Sequence, residues 1–175
     1  MKWKFPVKKQ IFSSPAVAGG VVYVHVRDDH VYALDAGDGT LVWKTPAPSP
    51  QRFWDPVFMD PSKSSPTVDG ERIYLGIHRD LTALDRRTGK VLWKAPTGRK
   101  VDSTPLVVGE TVYVGSDDKH FYAFEAATGK KIWSYATKGR VSSSPTYGEG
   151  LILIGSNDGA LYAFEEGPEK TPLRQ

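Results

Sequence analysis

The strongest constraint on this chain is an internal repeat: one unit of about 40 residues occurs four times and fills almost all of the 175 residues. Each unit opens with a Ser-Ser-Pro or Ser-Thr-Pro phrase and continues to an Ala-Leu or Ala-Phe pair that precedes an acidic residue. Three of the four units end on Trp. The opening phrases begin at Ser13, Ser64, Ser103 and Ser143, and the tryptophans are Trp43, Trp93 and Trp133. A repeat of this period is typical of arrays in which neighbouring units bury each other's apolar faces.

Each unit is predicted to form four short antiparallel strands. Gly-containing turns separate β-branched and aromatic runs. Apolar residues do not recur with the 3.6-residue period of a helix, so no helix is predicted. The second strand is apolar at every position in 21–24 (Val-Val-Tyr-Val) and 151–154 (Leu-Ile-Leu-Ile). A strand without alternation must be covered on both faces. We therefore predict an all-β propeller of four-stranded antiparallel blades, stacked face to face around an axis. The alternative, an open solenoid, needs polar caps at its terminal units.

The turn before each Trp carries a family resemblance. Residues 83–93 read Ala-Leu-Asp-Arg-Arg-Thr-Gly-Lys-Val-Leu-Trp, and residues 123–133 read Ala-Phe-Glu-Ala-Ala-Thr-Gly-Lys-Lys-Ile-Trp. Both are similar to the tryptophan-docking motif of the PQQ-like (quinoprotein) propeller repeat, while the copy at 33–43 departs from it with Gly-Asp-Gly-Thr at the turn. The resemblance covers essentially the whole chain. It implies that Trp3, Trp43, Trp93 and Trp133 dock between blades, and that the protein is periplasmic or extracellular.

The two ends of the chain complement each other. The fourth unit has Leu173 where the others have Trp, whereas Trp3 lies 40 residues before Trp43. We therefore predict that strand 1–5 completes the last blade of a single domain, 1–175. The blade repeats are placed at about 11–45, 63–95, 101–135 and 141–166.

Two closures satisfy this arrangement. Strand 1–5 pairs with its own fourth blade in a four-bladed monomer, or with that of a second copy in a homodimeric eight-bladed ring. The dimer is favoured because the resembled family mostly builds rings of seven or eight blades, and Trp-wedged blades resist the steeper angle of a four-bladed ring. A third alternative is that the chain is half of a longer protein.

Composition excludes several classes of function. Cys is absent, which excludes disulfide scaffolds, Cys-ligated metals and thiol catalysis. The net charge of +3 and the pI near 9.0 are too mildly basic for a dedicated nucleic-acid binder. No apolar run is long enough for a membrane helix, so no direct membrane insertion is expected. The first residues contain no apolar segment of a signal peptide, although a leader removed earlier is compatible with this.

Loops on one face of the predicted ring carry a cation in every unit. The set consists of Lys9, Lys63, Arg99, Lys100, Lys138 and Arg140. A ring of cations at a channel mouth would attract an anionic small ligand or an acidic partner surface; the alternative is that these charges only confer solubility. The neighbouring turns repeat Asp and His, which suggests a metal site or, more simply, residues that hydrogen-bond their own backbone. We predict no metal site there.

One connection, 46–63, is ten residues longer than its counterparts. It holds large apolar residues in a Pro-rich loop, notably Phe53, Trp54 and Phe58. Insertions on a scaffold often carry function, and aromatic side chains suit a protein contact. The alternative is that this loop folds back over a neighbouring blade or a dimer seam.

The repeats contain no nucleophile–base pair, zinc-helix motif or phosphate loop. We therefore expect a non-enzymatic binding or scaffold propeller without a cofactor. One alternative from the resemblance is a PQQ-dependent dehydrogenase propeller, or a fragment of one, that binds PQQ and calcium. Trp54 is then the candidate for the aromatic ring that stacks on PQQ, and Asp55 is the candidate for the carboxylate base. Another alternative is an extracytoplasmic sensor module of a receptor kinase.

Overall fold

The computed structural model of the chain describes residues 1–28, 30–46 and 62–165. Throughout these ranges the regular structure is entirely β, in four antiparallel sheets that each follow chain order. Blade 1 contains β1 (Ala16–Ala18), β2 (Val21–Val26), β3 (His30–Asp35) and β4 (Leu41–Pro46). Blade 2 contains β5 (Thr67–Asp69), β6 (Arg72–Ile77), β7 (Asp80–Asp85) and β8 (Val91–Pro96). Blade 3 contains β9 (Leu106–Val108), β10 (Thr111–Gly115), β11 (His120–Glu125) and β12 (Lys131–Ala136), and blade 4 contains β13 (Thr146–Gly148), β14 (Leu151–Gly155) and β15 (Leu161–Glu165). The chain is thus an all-β protein of the propeller class, as predicted.

The blades stack face to face, which explains why the middle strands lack alternation. Between blades 1 and 2, Tyr23, Val31 and Ala33 pack against Ile73 and Leu75. The same positions of the repeat meet again between blades 2 and 3 and between blades 3 and 4. The middle strands of blades 2 and 3 are therefore apolar on both sides because each side faces another blade.

The Trp residues of outer strands β4 and β8 are each fixed by a bulge and by a glycine of the next blade. In blade 1, Ala33 pairs with Trp43 but Leu34 pairs with Leu41, so one residue is skipped beside the indole. The indole N–H of Trp43 donates to the Arg86 carbonyl at 3.0 Å in blade 2. Its ring lies on Gly89, where a Cβ atom would come within 2.6 Å. Trp93 makes the equivalent bond to the Ala126 carbonyl of blade 3, at 3.2 Å.

The Ser-Pro corners join strands within and between blades. Buried Ser64 accepts a hydrogen bond from the Gly76 N–H of its own blade and donates to the Ser103 carbonyl of the next, both at 2.8 Å. The second residue of the phrase accepts a hydrogen bond from a backbone N–H of the preceding blade. For example, the Ser14 N–H donates to the Ser65 hydroxyl oxygen at 2.8 Å. These corners are structural, as the repetition of the phrase indicates.

The four blades form an arc in which the N-terminal segment does not close back on blade 4. Among residues 1–28, 30–46 and 62–165, residues 1–5 form no strand, and the last sheet has three strands with β15 at its edge. Within one chain, the predicted pairing of strand 1–5 with the last blade is therefore not found. Trp3 lies against blade 1, where its indole N–H donates to the Ala36 carbonyl at 3.1 Å. This site repeats the position that Trp43 occupies on blade 2, so the segment lies at the blade 1 end of the arc, whereas β15 lies at the other end. Pairing with the blade 4 of another chain stays a prediction.

Candidate functional site

Two sets of loops lie together on one face of the arc. One set links the outer strand of a blade to the next Ser-Pro corner, and the other is the turn between the second and third strands. The backbone joins them in blades 3 and 4: Asp117 N–H donates to the Lys100 carbonyl at 2.9 Å, and Asn157 N–H donates to the Arg140 carbonyl at 2.8 Å. We call this surface the loop face; its predicted cations are Lys9, Lys63, Arg99, Lys100, Lys138 and Arg140.

The carboxylates of Asp118 and Asp158 in these turns accept hydrogen bonds from backbone N–H groups and Tyr hydroxyls of the protein. Asp118 Oδ2 accepts hydrogen bonds from the Gly98 N–H at 2.6 Å and from the Tyr122 hydroxyl at 2.5 Å. Asp158 Oδ2 makes the equivalent bonds with the Lys138 N–H at 2.9 Å and the Tyr162 hydroxyl at 2.8 Å. Because these carboxylates are turned toward backbone amides and phenols, they leave the exposed surface of the loop face to the cations.

Hydrogen bonding shifts the pKa values of both partners of the Asp158–Tyr162 pair and that of the Tyr122 phenol. Some burial opposes the effect, but the bonds from the Tyr162 hydroxyl and from the Lys138 and Ala160 N–H groups lower the pKa of Asp158 to about 2. The bond to Asp158, with desolvation, raises the pKa of Tyr162 to about 12. Desolvation and the bond to Asp118 raise the pKa of Tyr122 as well. Near neutral pH Asp158 is therefore an ionised carboxylate and Tyr162 a neutral phenol.

Sequence reasoning missed these Tyr–Asp pairs. In blades 1, 3 and 4 a Tyr hydroxyl bonds an Asp four residues earlier in the chain. The spacing Asp-x-x-x-Tyr repeats in the sequence and is the signal that would have found them. Blade 2 departs from the pattern, with fully buried Thr82 at the Tyr position and a shorter turn at His78 and Arg79.

Five of the six predicted cations lie on the exposed surface of the loop face. The exposed residues are Lys9, Lys63, Arg99, Lys138 and Arg140. Arg140 lies 3.8 Å from Asp117 but keeps 59% of its side chain exposed. The exception is Lys100, which is 8% exposed and whose ammonium lies 3.0 Å from Asp102. Lys100 therefore supports the loops from beneath rather than presenting its charge outward.

A small charged cluster lies under the centre of the loop face. Burial, reinforced by Asp102, raises the pKa of Asp117 above its usual value, while Arg140, Lys100 and Arg99 pull it down. The cluster shows why these loops hold their shape: Lys100 and Arg140 balance two carboxylates that are partly removed from water.

The Asp and His residues of the turns act on their own backbone. His30 Nδ1 lies 2.5 Å from the Asp28 carbonyl oxygen, and His120 Nδ1 lies 3.0 Å from that of Asp118. Across residues 1–28, 30–46 and 62–165, no group of three or more His, Cys, Asp or Glu is arranged to hold a metal ion. The predicted contact residues Phe53, Trp54 and Phe58 lie outside the described residues. No helix of sufficient length and apolar character to cross a membrane occurs among those described.

The stacked four-stranded sheets, with an indole wedged between neighbours, define a β-propeller built from PQQ-like repeats. The sequence model of the family described as "Outer membrane protein assembly factor BamB" matches residues 1–100 and again 77–167. The chain therefore belongs to this family.

Individual relatives agree with this assignment. The chain is 27% identical over 126 residues to the quinohemoprotein alcohol dehydrogenase ADH-IIG of Pseudomonas putida, covering 68% of this chain and 18% of that protein. The structure resembles that of BamB from Moraxella catarrhalis with a TM-score of 0.78 at 20% identity, over 94% of this chain and 49% of the other. It also resembles the computationally designed Ika4 protein with a TM-score of 0.76 at 13% identity, over 95% of this chain and 98% of Ika4. The chain thus spans about half of BamB and about a fifth of the dehydrogenase.

Proposed function

We propose that this chain is a non-enzymatic binding scaffold whose loop face contacts an acidic segment of a protein partner. The observation that carries the proposal is the orientation of charge on that face: the turn carboxylates Asp118 and Asp158 are engaged inward, and the cations are exposed. A rigid surface that exposes only positive charges attracts and orients a negatively charged partner.

The family supports a protein partner rather than a small anion. The matching family is described as an outer membrane protein assembly factor, which is a role in contacting other proteins. If this chain shares that role, it works outside the cytoplasm. The surface is also broad, since successive loops from different blades each contribute a cation, whereas a small anion would need several donors converging on one point.

The test is the binding of a fluorescein-labelled polyglutamate peptide, followed by anisotropy at low and at high salt. The triple variant R99E/K138E/R140E should weaken binding about 10- to 100-fold, because each reversal removes about 0.5–1 kcal/mol of attraction. The matched control is R87E/K90E/K130E, which reverses three exposed cations on the outer turns of blades 2 and 3 and should change the affinity less than about 3-fold. Equal loss in both variants would show that only net charge matters and would refute a role for the loop face.

A second proposal follows from the dehydrogenase relative: the chain is a portion of a PQQ-binding propeller. It is supported by the 27% identity to a quinohemoprotein alcohol dehydrogenase. Titration with PQQ and calcium, followed by absorbance, separates the two proposals. Stoichiometric binding of PQQ would favour the dehydrogenase, and the absence of any spectral change would favour the scaffold.

A further inference from the structure

We propose that two copies of this chain close into an eight-bladed ring, with the N-terminal segment of each copy forming the fourth strand of blade 4 in the other. The first observation is the open edge of blade 4. Among the described residues, β15 pairs with β14 alone, while β3, β7 and β11 each pair with a fourth strand as well. An open edge of five residues is a template for pairing with another chain.

The face of blade 4 that points away from blade 3 is apolar and uncovered. Leu161 is 72% exposed, whereas its counterparts Val31, Leu81 and Phe121 are completely buried against the following blade. Ala163 is half-buried where the equivalent alanines of the other blades are fully buried. This face has the composition of a blade interface, and no blade formed by the described part of the chain packs on it.

Blade 1 has the complementary opening on its other side. Val22 is half-buried, whereas Ile73 and Val112, which occupy its position in blades 2 and 3, are completely buried against the preceding blade. On the inner strand, Val17 is 66% exposed. The arc therefore ends in one face that lacks a following blade and one that lacks a preceding blade.

The N-terminal segment already lies where the outer strand of a preceding blade belongs. Trp3 bonds the Ala36 carbonyl of blade 1 as Trp43 bonds Arg86 of blade 2. Phe5 contacts Tyr32 edge-on with ring centroids 5.9 Å apart, which repeats the contact of Tyr135 with Tyr162 at 5.6 Å between blades 3 and 4.

The connection after this segment is in place too. Gln10 accepts a hydrogen bond from the Arg27 N–H at 3.1 Å, as Lys100 accepts one from Asp117 in blade 3. The described residues supply no inner strands beside this segment, and blade 4 of another copy offers three such strands.

Side-chain size fits across the proposed seam. Gly76 and Gly115 have no room for a Cβ because Val101 and Val141 of the following blade press against them. Gly155 is the counterpart in blade 4, and no following residue presses on it in the arc. Ile11 is the counterpart of the valines and is 47% exposed, although both valines are completely buried.

Blade 1 reverses the sizes of the two residues but keeps one large residue opposite one small residue. Blade 1 has His25 in place of the glycine, and there the following blade has Ser62 in place of the valine. The large residue His25 thus corresponds to the small residue Ser62 in the next blade. At the proposed seam, the small residue Gly155 corresponds to the large residue Ile11.

A second copy satisfies both openings with one contact repeated by a two-fold axis, which is the usual symmetry of homodimers. The described inner strands follow one another in the order β1, β5, β9, β13, with no comparable contact returning from β13 to β1. The register is set by blade 3, where Phe121 pairs with Tyr135 and Ala123 pairs with Trp133. By the same register, Leu161 pairs with the Phe5 position of the second copy.

Cross-linking tests this register, because the chain contains no other Cys. Oxidation of the double variant F5C/L161C should give a covalent dimer of about twice the 19.3 kDa chain mass on a non-reducing gel. The control K4C/L161C places the first thiol on the opposite face of the strand and should cross-link at least 10-fold more slowly. A cross-linked monomer would establish four-bladed closure within one chain, and equal rates in both variants would exclude the register. Either result overturns the proposal.

Light scattering with a surface variant gives an independent readout. L161D changes a residue that is exposed in the single arc, so the fold and its circular dichroism should persist while the mass falls from about two chains to one. The control L92D changes a residue 48% exposed on outer strand β8 and should remain a dimer. A monodisperse monomer of the unmodified chain, or a dimer that L161D leaves intact, would overturn the proposal. Neither result bears on peptide binding at the loop face of a single arc.

Discussion

Replacing Gly129 by alanine tests whether the indole contacts hold the blades together. Gly129 has φ +73°, and a Cβ at this position would lie 2.5 Å from the Trp93 ring. Gly109 is a matched control, because its φ is +55° but nothing lies within 4 Å of its added Cβ. Both substitutions force alanine into the left-handed region, and only the first displaces a tryptophan.

The difference between the two variants can be worked out from these contacts. Alanine in the left-handed region costs about 1–2 kcal/mol, which both variants share. In G129A the ring must also move, which weakens its bond to the Ala126 carbonyl by about 1 kcal/mol and strains the packing by about 1–3 kcal/mol. We expect G129A to be about 2–4 kcal/mol less stable than G109A, or about 4–15 °C lower in melting temperature for a chain of this size.

Thermal unfolding followed by circular dichroism and by Trp fluorescence, at one protein concentration, measures this difference. The fluorescence of native G129A should also shift to longer wavelength, because the half-buried Trp93 becomes more exposed. Equal melting temperatures for the two variants would refute the reasoning, since the indole contact would then contribute nothing to stability.

Two further substitutions probe single hydrogen-bond sites. The lowered pKa of Asp158, about 2 against an ordinary 3.8, means that its contribution to stability is complete above about pH 4 and is lost as the pH falls toward 2. Urea unfolding should therefore show D158N to be less stable than the native chain at pH 7 and less sensitive to pH between 4 and 2; parallel pH profiles would contradict this. S64A should cost about 1–3 kcal/mol in the same assay, because it leaves the buried Gly76 N–H without its acceptor. The control S134A, on an exposed position of β12, should stay within about 0.5 kcal/mol, and an equal effect of both would contradict the assignment.

Much of the fold could be predicted from the sequence because its determinants are local and repeat. The second strands predicted from the apolar runs 21–24 and 151–154 are observed as β2 and β14, each of which extends beyond its run. The hydroxyls of the Ser-Pro phrases could also be interpreted as corner formers, since their repetition in every unit excludes a single active site.

Less of the candidate site could be predicted. The cations were found because each follows an outer strand, but their exposure depends on neighbours that are distant in sequence. Lys100 is adjacent to Arg99, yet it lies buried against Asp102 while Arg99 is exposed. The inward rotation of Asp118 depends on the Gly98 N–H from another blade, which the spacing of residues within one turn does not specify.

The repeat, the turn glycines and the indoles already specify the blade, because strand pairing and turn geometry depend on residues within about 40 positions of one another. The angle between blades and the partner of the N-terminal strand are different in kind, since they arise from side-chain packing summed over several interfaces. The tertiary structure places Trp3 on blade 1 and leaves β15 at an open edge. The Trp3 indole docks on blade 1 as the Trp43 indole docks on blade 2, and in one chain β15 lies at the other end of the arc, so the strand that pairs with it depends on the packing of all the blades between them.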